Sequence, residues 1–228
     1  MKTTKRHHRT IRAAMGQIKA LRTFNIPVTA GLFDFSWNGP NRLWIFPDGS
    51  TSTAERPTRT LDEAGTVKLI VGNQQDWQGN YLLKDNGTNA RYVGYLSDLP
   101  PITYYLQLTY CGITGNIADL PRLTTFVEMS YCSGITGCLA DAPATSYYFS
   151  FIGCSNVSGA APAGLKATQI SLTDCPNIDI DQTIINIDTA GSSNGTLTAT
   201  GTTPAATAAS ATARANLIAK GWTLTINT

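Results

Sequence analysis

Cys111, Cys132, Cys154 and Cys175 stand 21, 22 and 21 residues apart, the most regular spacing of reactive side chains in this 228-residue chain. Thiols so arranged have three uses: disulfides, a zinc site, or packing as small, weakly polar core residues. No Cys-x-x-Cys pair supports zinc. If each thiol ends one strand of a stacked ladder, neighbours lie about 4.8 Å apart. That spacing is compatible with a disulfide, but the side chains of a ladder point the same way, which favours reduced, structural cysteines. Cys138 falls outside the ladder and makes the count odd, so at least one thiol is free. Both histidines, His7 and His8, lie at the amino end. The rest of the chain has no imidazole for Ser-His-Asp or Cys-His catalysis or for a histidine-rich metal site, unless that end folds back. Asp48 and the group Asp179, Asp181 and Asp188 are the carboxylates that calcium would use; an Asp-Gly turn and solvated loop positions explain them equally. The expectation is a non-enzymatic protein without catalytic residues, metal or cofactor.

The elements that place these thiols follow from the residues around them. Apolar residues precede each cysteine at −5 and −3: Leu106/Leu108, Val127/Met129, Phe149/Phe151 and Ile170/Leu172. Ile113, Ile135, Val157 and Ile178 follow two or three residues later. Asp98-Leu99-Pro100, Asp119-Leu120-Pro121 and Asp141-Ala142-Pro143 recur on the same period, as do Gly94, Gly115 and Gly137. GITGNIADLPRLTTFVEMSYC therefore resembles one whole leucine-rich repeat, whose coils each supply one short parallel strand. The resemblance implies a solenoid of period 21–22. Tyr81–Asn86 fits a first strand with Asn86 at the ladder position, and Thr196–Thr200 and Trp222–Ile226 fit two more. A short helix over Asp181–Asp188 and a longer one over Pro204–Lys220 are predicted, the second capping the last coil.

Alternation assigns Gln107, Thr109, Glu128, Ser130, Ser150, Ser171 and Thr173 to the outward face of the predicted sheet. Tyr105, Phe126, Tyr148 and Gln169 align six residues before the cysteines, and Tyr110 and Tyr131 align just before them. The candidate ligand-binding set is Tyr105, Phe126, Tyr148, Tyr110, Tyr131, Gln107 and Glu128, a platform for a sugar ring or a partner protein. Aromatics one coil apart also stabilise one another across strands, and that alternative stays open.

Charged residues make up only 14% of the chain, and the net charge is +2. Lys2, Lys5, Arg6, Arg9, Arg12, Lys19 and Arg22 all precede the first acid, Asp34; beyond Arg22 the balance is −5. Ile11, Ala14, Met15, Ile18 and Leu21 share one face of a helix predicted from about Thr10 to Arg22. Such a basic amphipathic arm either packs on the body or anchors it, with Arg6, Arg9, Arg12, Lys19 and Arg22 as the anchoring charges. No aromatic interleaves with these charges before Phe24, which argues against nucleic acid. No apolar run is long enough to span a membrane, and the spaced charges break any signal-peptide core.

Between arm and repeats, Leu32–Trp37, Leu43–Phe46 and Thr66–Val71 read as strands around the turn Pro47-Asp48-Gly49-Ser50. WIFPDGSTSTAERPTRTLDEAGTVKLIV resembles the middle and end of a PKD domain, an immunoglobulin-like sandwich. The carriers are Trp44, Phe46, Asp48-Gly49-Ser50, Pro57-Thr58 and Gly65-Thr66; Ile45, Pro47 and Leu61 depart from the family's usual Asp, Gly and Tyr. The chain is thus read as mainly β: a basic arm (1–25), a small PKD-like module (26–74), and a leucine-rich-repeat solenoid with a C-terminal cap (75–228). Both resemblances imply work outside cells, and the sequence has no export signal. A bacteriophage structural protein reconciles the two. The arm would bind virion capsid or tail proteins, and the solenoid would be displayed as a decoration or adhesin for host-surface glycan or protein. The alternative is a secreted or cell-surface ligand-binding module.

Overall fold

The computed structural model describes residues 22–34, 36–37, 42–71, 80–84, 93–99, 105–122 and 124–228. The arm up to Leu21 and Asn86 lie outside them. The chain is mainly β, with a parallel-strand solenoid following a smaller antiparallel part.

In the antiparallel part, β1 (Arg22–Val28), β7 (Gly65–Val71), β4 (Arg42–Ile45) and β5 (Thr51–Ser52) lie side by side in that order, and β2 (Gly31–Asp34) pairs with β6 (Thr58–Leu61). Arg22, counted with the arm in the sequence, opens β1 opposite Val71. The two sheets share a core. Phe33 from β2 meets Trp44 edge-on at 5.6 Å and Phe46 at 5.3 Å, with Ile26, Val67 and Leu69 buried around them. Within Leu32–Trp37, expected as one strand, two strands are described, β2 ending at Asp34 and β3 (Ser36–Trp37) starting at Ser36, with different partners. β3 leaves the small sheets and pairs antiparallel with β8 (Asn80–Lys84), the first strand of the repeat region.

From β8 onward the strands run parallel: β9 (Tyr105–Thr109), β11 (Phe126–Ser130), β13 (Tyr148–Ile152), β15 (Gln169–Ser171), β17 (Thr196–Ala199) and β18 (Thr223–Ile226) complete an eight-stranded sheet closed at one end by β3. The register is in step throughout, Tyr105 opposite Phe126, Phe126 opposite Tyr148, Tyr148 opposite Gln169, and Thr196 opposite both Gln169 and Thr223. The register holds through coils of 21–22 residues from Tyr105 to Gln169 and through the longer 27-residue coils that follow, because any slip would turn the apolar rows outward. Those rows run Leu106–Val127–Phe149–Ile170–Leu197 and Leu108–Met129–Phe151–Leu172–Ala199, every member buried.

After each cysteine the chain makes a second, narrow parallel sheet from β10 (Gly115–Asn116), β12 (Ile135–Cys138), β14 (Val157–Gly159) and β16 (Asn177–Ile178). The Asp-x-Pro motifs then return the chain through single 3-10 turns, Leu96–Asp98, Ile117–Asp119 and Leu139–Asp141, whose first residues are buried. In the last coils helices replace these turns. α1 (Ile180–Ala190) buries Ile180, Thr183, Ile184 and Ile187; Asp179 caps its start and Gly191, at φ +80°, ends it. α2 (Ala211–Ala219) is shorter than the helix expected over Pro204–Lys220. Asp181 holds Thr207 and Ser210 ahead of it: its carboxylate accepts from the Thr207 N–H (2.9 Å), the Thr207 hydroxyl (2.6 Å) and the Ser210 hydroxyl (2.5 Å). Thr207 caps a 3-10 turn over Ala208–Ser210, and the α-helix begins only after that turn.

Candidate functional site

The cysteines sit inward at the end of each strand, where a side chain with little hydrogen-bonding demand is needed. All five are free thiols. The ladder thiols reach backbone carbonyls of the preceding coil: Cys132 donates to Leu108 O (3.5 Å), Cys154 to Met129 O (3.5 Å) and Cys175 to Phe151 O (3.1 Å). Burial pushes the Cys154 thiol up to about 12 and raises Cys175 as well. Thr203 continues the ladder in the next coil. Its hydroxyl donates to Leu172 O and accepts from the Cys175 N–H. Sequence reasoning missed this position because no cysteine marks it. It also missed an amide ladder two residues after the thiols, where Asn156 and Asn177 donate to Ser133 O and Ser155 O, both at 2.7 Å.

The residue before each ladder cysteine is left-handed. Tyr110, Tyr131, Gly153 and Asp174 have φ of 52°, 57°, 64° and 56°, and Gly201 takes the equivalent place at 66°. The geometry has a local cause: these N–H groups still bond forward to the next coil, Tyr131 to Ile152 O at 2.7 Å for example, and the next side chain must then turn inward. For non-glycine residues this backbone costs roughly 1–2 kcal/mol. The Tyr110 and Tyr131 rings stack at 4.6 Å and 6°. Tyr131 in turn lies over Gly153, where a Cβ would fall 2.5 Å from its Cδ1. Both tyrosines remain 45% exposed.

On the outer face of the sheet the strand-start aromatics form one stack. Tyr105 and Phe126 are 3.9 Å apart at 16°, Phe126 and Tyr148 4.1 Å apart at 4°, and Tyr147 adds an edge contact to Phe126 at 6.1 Å. Their faces cover each other, so the row presents ring edges and hydroxyls outward. Beside it, Tyr105 Oη donates to Gln107 Oε1 (3.3 Å), and Gln107 Nε2 donates to Glu128 Oε1 (2.9 Å). Burial, with the nearby Glu128 charge second, raises the Tyr105 and Tyr148 phenols above their usual value. The fold thus brings together Tyr105, Phe126, Tyr148, Gln107 and Glu128 on one side of the face, with Tyr110 and Tyr131 along its other margin. Thr109, Ser130 and Ser150, assigned to the outward face, are nonetheless buried. Alternation tells which side of a sheet a residue faces, not what covers it there.

The carboxylates expected as loop surface or a calcium group are each committed to a separate contact. Asp179 accepts from the Gln182 N–H (2.9 Å), Asp181 binds Thr207 and Ser210, and Asp188 pairs with Lys220 (2.5 Å) and Asn216 (2.9 Å). Asp48 accepts from the Ser50 N–H and hydroxyl and meets Arg59 at 2.8 Å, with the Arg59 guanidinium 4.5 Å over Phe46. Among the described residues no three His, Cys, Asp or Glu side chains converge as a metal site, and no helix is long and apolar enough to cross a membrane. Of the arm charges, Arg6, Arg9, Arg12 and Lys19 lie outside the described residues. No family model matches the chain, and no match was found among curated proteins or solved structures.

Proposed function

We propose that this chain is a non-enzymatic structural protein of a bacteriophage particle, a decoration or adhesin. In this reading Arg6, Arg9, Arg12, Lys19 and Arg22 anchor it to capsid or tail, and the repeat region is displayed toward glycan or protein on the host surface. The antiparallel part is the PKD-like module and the solenoid a leucine-rich-repeat variant. The observation that carries the reading is the outer sheet face, where Glu128 is the one charge in the outward rows of β9, β11, β13, β15, β17 and β18, and hydrogen-bonding hydroxyls, amides and phenols surround it. Its ring faces are used in stacking, so a ligand there meets ring edges and polar tips, which suits hydrogen bonding to hydroxyl-rich surfaces over flat stacking on a sugar.

Mass spectrometry of purified particles is the first test; absence of the chain from them sinks the virion reading. Removing residues 1–22 should abolish incorporation. Gln107→Ala with Glu128→Ala should lower host-cell binding by tenfold or more while incorporation stays intact. The second reading, a secreted or cell-surface binding module, is favoured by the exposed Tyr110 and Tyr131 margin, which needs no arm. It predicts ligand binding unchanged by the 1–22 deletion and no particle association.

A further inference from the structure

We infer that Cys111 and Cys132 are an oxidation site, a pair that a peroxide closes to a disulfide while Cys154 and Cys175 stay reduced. Strands β9 and β11 run parallel and in register up to Thr109 opposite Ser130, and the Tyr110 N–H donates to Ser130 O (2.9 Å). The two cysteines come next, at one phase of the coil, each after a left-handed tyrosine. Their separation is one strand spacing, about 4.8 Å, which lies inside the range of Cα distances a disulfide accepts.

The corner that follows sets this rung apart from the later ones. Ile135, Val157 and Ile178 each return an N–H to the carbonyl of their own cysteine, at 3.2, 3.2 and 3.3 Å. The Cys111 corner is one residue shorter, because Gly112 leads straight into buried Ile113. At this corner the Cys111 thiol hydrogen-bonds to the Cys132 sulfur, and the Cys111 N–H adds a second bond. The thiol–thiol bond outweighs burial and holds the Cys132 thiol below its ordinary value. In the later coils Cys154 and Cys175 rest on backbone carbonyls, and burial raises both thiols. Access follows the same order: Cys111 keeps 5% of its surface, and the other three ladder cysteines are sealed.

The thiolate is the reacting form of a cysteine, and a peroxide takes it to sulfenic acid. Cys132 ionises first, its thiolate held by the Cys111 S–H. It takes that proton as Cys111 attacks one peroxide oxygen; the O–O bond breaks and hydroxide leaves, giving the Cys111 sulfenic acid. The Cys132 sulfur then attacks the Cys111 sulfur, the S–O bond breaks, and a second hydroxide leaves. The two thiol protons turn both hydroxides into water, and the two electrons lost by the thiols reduce the peroxide. The new bond ties together the two coils that carry the stacked Tyr110 and Tyr131 rings.

The test exposes the folded full chain to hydrogen peroxide at neutral pH, then alkylates the remaining thiols with iodoacetamide in guanidinium chloride. Tandem mass spectrometry of the peptides reads the outcome. Expected is a Cys111–Cys132 cross-link, two hydrogens lighter than the reduced pair and reversed by dithiothreitol, with Cys154 and Cys175 alkylated. Cys111→Ala should abolish the cross-link and leave Cys132 alkylated, whereas Cys154→Ala should leave the cross-link intact. Cys111 and Cys132 both alkylated after peroxide, a Cys132–Cys154 cross-link, oxidation of Cys154 or Cys175 as fast as that of the pair, or a cross-link that forms only in denaturant each overturns the inference.

Discussion

Replacing Phe126 with leucine separates two roles of the aromatic row. The substitution keeps an apolar side chain of similar volume and removes two stacked contacts, at 3.9 and 4.1 Å. Aromatic pairs contribute about 0.5–1.5 kcal/mol each beyond their area burial, so Phe126→Leu should destabilise by about 1–3 kcal/mol. For a chain of this size that is a fall in Tm of roughly 2–12 °C. Tyr105→Leu and Tyr148→Leu each lose one stacked partner and should cost about half as much. Urea unfolding followed by tryptophan fluorescence gives the free energies, and double-mutant cycles apportion them. Phe126 and Tyr148 should couple by about 0.5–1.5 kcal/mol. Tyr105 and Tyr148, two strands apart, share only Phe126 as a partner, so their coupling should be smaller than that of Phe126 with Tyr148. If Phe126→Leu costs no more than either terminal substitution, the stack is not a cooperative stabilising element and the reasoning fails.

Three further outcomes test the coil geometry. Gly153→Ala should cost about 2–4 kcal/mol, combining a left-handed backbone with a Cβ placed 2.5 Å from the Tyr131 ring; Gly49→Ala, also left-handed but with open space around it, should cost about 1–2 kcal/mol. Iodoacetamide at pH 8 should label half-buried Cys138 first, whereas buried Cys154, its thiol pushed up to about 12, should label only on unfolding; peptide mass spectrometry reads the order. Hydrogen bonds from Ser210 and Thr207 lower the Asp181 carboxyl below 3.8, and bonds from Lys220 and Asn216 outweigh burial to lower Asp188. Their stabilisation is complete above the ordinary carboxylate value and lost as pH falls through the lowered folded values. Asp181→Asn with Asp188→Asn should therefore flatten the loss of stability between pH 4 and 2 measured by urea midpoints.

The solenoid was legible because its period is written three times, in the cysteines, the Asp-x-Pro turns and the glycines, and because inward positions alternate with polar ones. The two C-terminal strands were read from alternation alone, because their coils are 27 residues long and carry none of the three markers. Tyr110 and Tyr131 carry no signal of their left-handed backbone: tyrosine disfavours it, and only the forward bonds to the next coil impose it. The narrow second sheet was hidden because its strands are two to four residues long, too short for any periodicity to register. Thr203 escaped notice because its coil reaches the ladder position one residue later than the cysteine coils do. On the outer face the composition of the rows was readable, but the ring stacking and the burial of Thr109, Ser130 and Ser150 are properties of neighbouring coils together.

The left-handed residue that ends every strand has a consequence for how such a chain changes length. Because Tyr110, Tyr131, Gly153, Asp174 and Gly201 bend the backbone at one shared phase of the coil, the corner belongs to the repeat and not to any one place along it. A duplicated or deleted stretch of 21–22 residues would carry its own corner, thiol and carbonyl partner, and both cut ends would rejoin in phase. The coil from Asp174 to Gly201 is 27 residues long and keeps the same phase because its extra residues form α1 between the strands, so other lengths fit only where the added residues fall outside strand and corner. Growth or shortening by whole turns would therefore change the reach of such a chain while leaving its strand ladder in phase.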